Sequence, residues 1–266
     1  MESTTAVTVP IGNGSGGVSG DFACGLQAAY NPTTGESFYV QASDPDDVDT
    51  VALARIDVTT GVSTTIGQFL WDDGESNIPI VIDALAIGAD GSAYALGEGA
   101  LWSVDLDDAS LDRIANVAFD RAFAFAFDAV TGQFYAISTD DEILAVDTTD
   151  GTAESLGFLN GPDRTTSLQF DEAGTFWVSI NEDSDSGAGL WSFSLATSGT
   201  PTYSGPFVDD PFYTESILII PVATPAPPPA PVLAATGSEA PLLLGVIAGL
   251  VVVAGVGILV ARRRAA

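Results

Sequence analysis

The sequence predicts an all-β fold: a β-propeller-like ectodomain of four-stranded blades, followed by a Pro-rich linker and a single C-terminal transmembrane helix. Three observations predict it. The hairpin glycines Gly91, Gly132 and Gly174 recur 41 and 42 residues apart, with Gly35 displaced further by an acidic insertion. The segments around them are strand-length, rich in aromatic and β-branched residues, and separated by Gly, Asp, Asn and Thr turn signals. Finally, Leu242 to Ala261 is a run of 20 residues without a charge, about 30 Å of helix and long enough to cross a bilayer.

The elements follow in chain order. Thr4 to Gly12 (TTAVTVPIG) reads as an isolated fourth strand. Four repeats then cover approximately 27–69, 83–117, 123–159 and 167–207. The second shows the unit most plainly, as ALAIGA, SAYAL, LWSVD and LDRIANV. Such a unit cannot bury both of its faces alone, so blades must stack on one another. Phe38, Tyr94, Phe134 and Phe176 follow the hairpin glycine at nearly constant offset, and Trp102 and Trp191 share a place in the third strand. Recurrence of this kind is expected of packing between blades. Ser216 to Pro221 (SILIIP) reads as a first strand with no partners after it. With Thr4 to Gly12 it would form part of a fifth blade, giving about four complete blades and a partial one.

Domain boundaries follow: 1–221 for the ectodomain, 222–232 for the Pro-rich linker, 233–237 for a short motif, 242–261 for the span and 262–266 for a basic tail. The linker ATPAPPPAPV resists helix and sheet and favours an extended polyproline form, a spacer of about 30 Å. Met1 to Gly20 carries neither a basic nor an apolar signal-peptide region. Together with the incomplete fifth blade, this predicts an upstream segment bearing the export signal and the missing strands.

All 36 acidic residues, but only four of the seven basic ones, precede Leu242, and there is no lysine. A net charge of −29 repels nucleic acid and excludes it as a partner, while favouring cations and basic partners. The apolar content of 46% is enough to fill a core. The lone Cys24 permits no internal disulfide and reads as a small buried residue.

The absence of histidine removes the usual general base, the usual zinc ligand and every Ser-His or Cys-His nucleophile. The ectodomain therefore reads as non-enzymatic, without a cofactor, and suited to binding an extracellular ligand or to adhesion. A hydrolase or lyase working through carboxylates and calcium is the alternative. Its ligands would come from acidic loops: Asp44, Asp46, Asp47 and Asp49; Asp72, Asp73 and Glu75; or Glu182, Asp183 and Asp185. Of these, Asp44, Asp46, Asp49, Asp183 and Asp185 are the candidate calcium ligands. None matches EF-hand spacing, and solvated loops at blade edges, repelling one another, are the favoured reading.

The C-terminal segment carries an address. Leu233, Ala234, Ala235, Thr236 and Gly237 are followed by the apolar run and then by Arg262, Arg263 and Arg264. Three arginines after a span favour the cytoplasmic side and place everything before Leu242 outside. This order of parts resembles the cell-wall sorting signal of Gram-positive surface proteins. In that family sortase cuts an LPxTG-type pentapeptide between Thr and Gly and joins the Thr carboxyl to a cell-wall amine. Ala234 stands where LPxTG has Pro, and LAxTG is associated with class E sortases of high-GC (actinobacterial) Gram-positives. The resemblance implies sortase and peptidoglycan as partners, the membrane as a way station before sorting, and the cell wall as destination. An uncleaved single-pass anchor is the other reading of the same segment.

Overall fold

The computed structural model describes residues 27–44, 47–159, 165–180, 189–195, 202–206 and 217–220. The chain divides into units 1–222 and 223–266; the second, with the linker, the motif and the span, lies outside the described residues, as does Thr4 to Gly12.

The described residues form four antiparallel four-stranded meanders, the blades of a β-propeller. Blade one is β1 (Gln27–Asn31), β2 (Glu36–Asp44), β3 (Asp47–Ile56) and β4 (Ser63–Gln68). A short hairpin follows, β5 (Leu70–Asp72) and β6 (Asn77–Pro79). Blade two is β7 (Ala84–Ile87), β8 (Ala93–Gly97), β9 (Ala100–Val104) and β10 (Ser110–Asn116). Blade three is β11 (Ala122–Asp128), β12 (Gln133–Ser138), β13 (Glu142–Val146) and β14 (Ala153–Phe158). Blade four is β15 (Thr165–Phe170), β16 (Phe176–Ile180), β17 (Gly189–Phe193) and β18 (Thr202–Pro206).

Strand alternation sends one set of side chains to the next blade and the other to the preceding one. Between blades one and two, Phe38, Val40 and Leu53 meet Leu85, Ile87 and Ala95. Between two and three, Ala84, Ala86 and Leu101 meet Phe125, Phe134 and Val146. Between three and four, Ala124, Ala126 and Tyr135 meet Phe170, Phe176 and Val178. Alanine on one wall faces an aromatic on the other, so the walls interdigitate.

The seam between blades four and one is built differently. Among the described residues its apolar part comprises Ala28, Tyr39 and Ala54, with Ile56 and Leu218 against them. The remainder is polar. Gln169 Nε2 donates to the Ala28 carbonyl at 2.7 Å, and the Ile217 N–H donates to Ser167 Oγ at 3.1 Å. Ile217 to Ile220 carry no strand, which corrects the expectation of a β-strand there. Through the Ile217 bond to Ser167 of β15 the segment lies against the inner strand of blade four.

Two recurrent devices shape the blades. The outermost strand pair shifts register in every blade, between Leu53 and Ala54, Arg113 and Ala115, Ile143 and Leu144, and Leu190 and Trp191. A bulge at this place adds twist to the outer strand and bends it. In blade two alone the outer edge is extended, because β5 pairs in parallel with β10 and Trp71 packs edge-on to Trp102 at 5.6 Å.

The second device explains many of the acids. Meander topology collects the first-to-second and third-to-fourth strand turns of every blade on one face, here called the turn face. Each of the turns described there begins on Asn, Asp or Gly, and the acidic ones cap themselves. In Asp57 to Gly61 the Thr59 N–H donates to Asp57 Oδ1 at 2.8 Å, and Gly61 N–H closes on the Asp57 carbonyl at 2.7 Å. Gly61 has φ of +73°, a value that favours glycine. Asp105, Asp128, Asp147 and Asp171 repeat the side-chain cap, the Asx-turn geometry.

The Asp57 carboxyl is held down to about 2, first by the Thr59 hydroxyl and then by backbone N–H groups. A depressed native value means that its contribution to stability is present above the ordinary value of 3.8 and is lost as pH falls towards 2. A carboxyl-detected NMR titration should find this midpoint near 2, and Thr59→Ala should move it upwards towards 3.8. An unchanged midpoint in the variant would show that the hydroxyl is not the cause.

Candidate ligand cleft

The axis of the propeller is filled by one side chain. Gln27, the first residue of β1, is fully buried. Its Nε2 donates to the Phe125 carbonyl at 2.7 Å and to the Leu168 carbonyl at 2.9 Å, while Oε1 accepts the Phe125 N–H at 2.7 Å. The carboxamide thus serves β11 as a neighbouring strand would, and reaches β15 with its second hydrogen. Both amide hydrogens are used. The axis is therefore closed at this level by hydrogen-bonded protein.

An opening lies instead at the turn-face end of the junction between blades two and three. It is a cleft of about 280 Å³ lined by Gly88, Ala89, Asp90, Tyr94, Phe127, Phe134 and Thr148. The β7–β8 turn supplies Gly88, Ala89 and Asp90, and the β13–β14 turn supplies Thr148. The walls are aromatic: Tyr94 stands edge-on to Phe134 at 5.2 Å, and Phe127 lies 4.8 Å from Phe134. Gly88 keeps the floor open, because a Cβ there would stand 3.2 Å from both Phe134 Cζ and Asp90 Oδ1. The Asp90 carboxyl accepts from the Ser92 N–H and the Ser92 hydroxyl, both at 3.0 Å, which hold it below the usual carboxylate range and so ionised. Flat apolar walls beside a fixed negative charge suit a ligand with a planar or cationic head.

On the opposite face, Asp83 before β7 and Arg121 before β11 form an ion pair, with Nε donating to Oδ1 at 3.0 Å. Burial pushes the Asp83 carboxyl up, the Arg121 guanidinium pulls against this, and Glu98 adds to the rise. The guanidinium itself is mostly exposed. A carboxylate anchored to an arginine at the root of two inner strands ties blade two to blade three.

The residues singled out from sequence are placed unevenly. Asp44 and Asp49 lie in β2 and β3 near the turn joining them. Asp46, Asp183 and Asp185 lie outside the described residues, as do Cys24, Leu233 to Gly237 and Arg262 to Arg264. Among the described residues no group of three or more acids or thiols is placed to hold a metal ion. Asp72 and Asp73 cap the tip of the β5–β6 hairpin, accepting from the Gly74, Glu75 and Ser76 N–H groups at 2.8 Å.

The aromatic row needs a correction. Phe38 and Tyr94 stand three residues after their glycines, whereas Phe134 and Phe176 stand two after theirs. One residue along a strand turns the side chain to the other face. The structural equivalents are Phe38, Tyr94, Tyr135 and Trp177, each facing the next blade; Phe134 and Phe176 face the preceding one. Phe38, Phe134 and Phe176 are buried between blades, and Tyr94 is half-buried at the cleft. Sequence reasoning missed the cleft. A small partner across the ladder is no signal for it, since Tyr135 and Trp177 face Ala145 and Ser192 just as Tyr94 faces Ser103.

No protein-family model matches the sequence, and no curated protein sequence does. The fold is similar to several solved structures. Hydrazine synthase of Kuenenia stuttgartiensis aligns at 14% identity and a TM-score of 0.43, covering 71% of this chain and 51% of that one. A nidogen/laminin complex aligns at 12% and 0.46, covering 67% and 64%. A putative 6-phosphogluconolactonase from Bacteroides uniformis aligns at 14% and 0.39, covering 66% and 52%. The chain thus spans about half to two thirds of the length of these structures.

Proposed function

We propose that the protein is an extracellular binding protein of a Gram-positive, actinobacterial surface, joined to peptidoglycan through Thr236 by a class E sortase. Its propeller presents the ligand through the cleft between blades two and three. The observation that carries the binding role is the contrast within the propeller: the axis is filled by Gln27, while the junction beside Tyr94 stands open. Leu233 to Gly237, the apolar run and Arg262 to Arg264 support the anchoring role.

In this reading the span and basic tail halt the chain in the membrane and hold the Thr236 to Gly237 bond at the outer surface. The Thr236 carboxyl is then transferred to a cell-wall amine and the fragment from Gly237 onward is released. Mass spectrometry of wall fragments tests it. The expected result is a C-terminal peptide ending at Thr236 and linked to a wall peptide. An intact segment from Leu242 to Ala266 in membranes of sortase-competent cells overturns it and favours the uncleaved anchor.

A carboxylate hydrolase or lyase is the second reading, and Asp83, with its raised pKa, is the group that favours it. The Arg121 nitrogens already hold the same Asp83 oxygen, which supports a structural role for that acid.

A further inference from the structure

We propose that the cleft between blades two and three receives the guanidinium group of an arginine side chain carried by a basic peptide. The inference deepens the binding role just described and rests on it. Its warrant is a precedent inside the chain. Phe38 and Tyr94 hold equivalent places: they pair with Ala29 and Ala86 on the inner side, and with Arg55 and Ser103 on the outer side.

In blade one the site is already occupied. The Arg55 guanidinium carbon lies 5.8 Å from the Phe38 ring centroid, and its NH1 lies 3.1 Å from Glu36 Oε1. Aromatic face, carboxylate and guanidinium are all supplied by the same blade. Arg113 makes a similar choice, lying 5.7 Å over Trp102. In blade two the aromatic recurs as Tyr94 and a carboxylate recurs in the adjacent turn as Asp90, but the position of Arg55 is Ser103. Blades three and four also lack the cation, with Ala145 and Ser192 at its position, but Tyr135 is buried against Phe170 and Phe176 and Trp177 Nε1 donates to Asp171, whereas Tyr94 is half-buried and lines an open cleft.

Three further features select the occupant. The chain carries a net charge of −29, so its field concentrates cations and repels anions. No lining residue of the cleft is basic, so nothing there competes with an incoming cation. At about 280 Å³ the cleft is smaller than those that enclose a drug-sized molecule, and suits one side-chain head. A guanidinium, planar and weakly hydrated, stacks on rings and bonds a carboxylate together.

The test uses the full chain in non-ionic detergent at low ionic strength, titrated with acetylated Gly-Gly-Arg-Gly-Gly-amide and with its citrulline and lysine counterparts. Citrulline keeps the shape and loses the charge. The arginine peptide is expected to bind about tenfold or more tightly than citrulline. Ser103→Arg, which installs the cation of blade one, should abolish binding without lowering the melting temperature, and Tyr94→Ala should weaken it. Equal binding of citrulline or of lysine, still blocked by Ser103→Arg, overturns the guanidinium assignment and leaves the cleft as a binding site. Arginine binding indifferent to both substitutions overturns the cleft as well. Failure of the arginine peptide to bind overturns the inference.

Discussion

Gln27→Leu is expected to lower stability by about 3–6 kcal/mol, roughly 10–20 °C in melting temperature for a domain of this size. The substitution keeps much of the volume and removes the three hydrogen bonds of the Gln27 carboxamide. Phe125 loses partners for both its N–H and its carbonyl, and Leu168 loses one for its carbonyl. Each is an inner-strand group buried away from water, and an unsatisfied buried group costs about 1–3 kcal/mol. Because those partners sit 98 and 141 residues away in sequence, the loss falls on ring closure and not on any single blade.

Gln27→Glu separates hydrogen bonding from packing. The introduced carboxylate can accept from the Phe125 N–H but would face two carbonyls, so its native pKa should be raised. Stability should therefore be lowest at neutral pH and recover as pH falls through that value, when the acid can donate to one carbonyl. Thermal melts from pH 7 to 4 read this directly. If Gln27→Leu melts within 2 °C of the parent, the carboxamide does not hold the ring.

Gly97→Ala is expected to cost about 2–4 kcal/mol, although it adds one methyl group. The cause is backbone proximity. A Cβ on Gly97 would stand 2.2 Å from the Val81 carbonyl oxygen and 2.9 Å from Ile82 Cα. Neither can step aside as a side-chain tip would. The segment entering blade two crosses over the end of β8, where the Asp83 N–H donates to the Leu96 carbonyl at 2.8 Å. The same glycine offers its carbonyl to Trp102 Nε1 at 3.0 Å, so displacement would loosen the Trp102 and Trp71 contact too. Chemical denaturation with tryptophan fluorescence reports both effects. Gly99→Ala is the control, since nothing lies within 4 Å of a Cβ there and its cost comes only from a φ of +68°. Equal losses in the two variants would rule out the clash as the cause.

How far the sequence reveals this architecture depends on how local each determinant is. The four repeats are legible because period, turn glycines and strand alternation are all written within 40-odd residues, and they match the observed blades to within a few positions. The short β5–β6 hairpin is not, since LWD and NIP are too brief and too polar to carry a strand pattern. The aromatic row slips because an offset of two or three residues looks trivial in sequence and reverses a face in space. Asp57, Asp105, Asp128, Asp147 and Asp171 of the turn face each cap their own backbone, a role set by φ and ψ and not by composition.

Gln27 and the cleft illustrate the opposite limit. A glutamine before AAYN carries no mark of spanning the axis, because its partners are fixed only when blades three and four arrive. Tyr94 borders an opening because of how Phe127, Phe134 and Thr148 of the next blade meet it, whereas Phe38 is buried against blade two. Such pairings exist in three dimensions alone.

The seam between blades four and one has a colloidal consequence. Among the described residues, opening of this joint would expose Gln169, Ser167, Tyr39 and a few aliphatic groups instead of the phenylalanine walls that line the other junctions. A ring that opens at its most hydrophilic joint can admit solvent and reclose without showing a sticky surface to its neighbours.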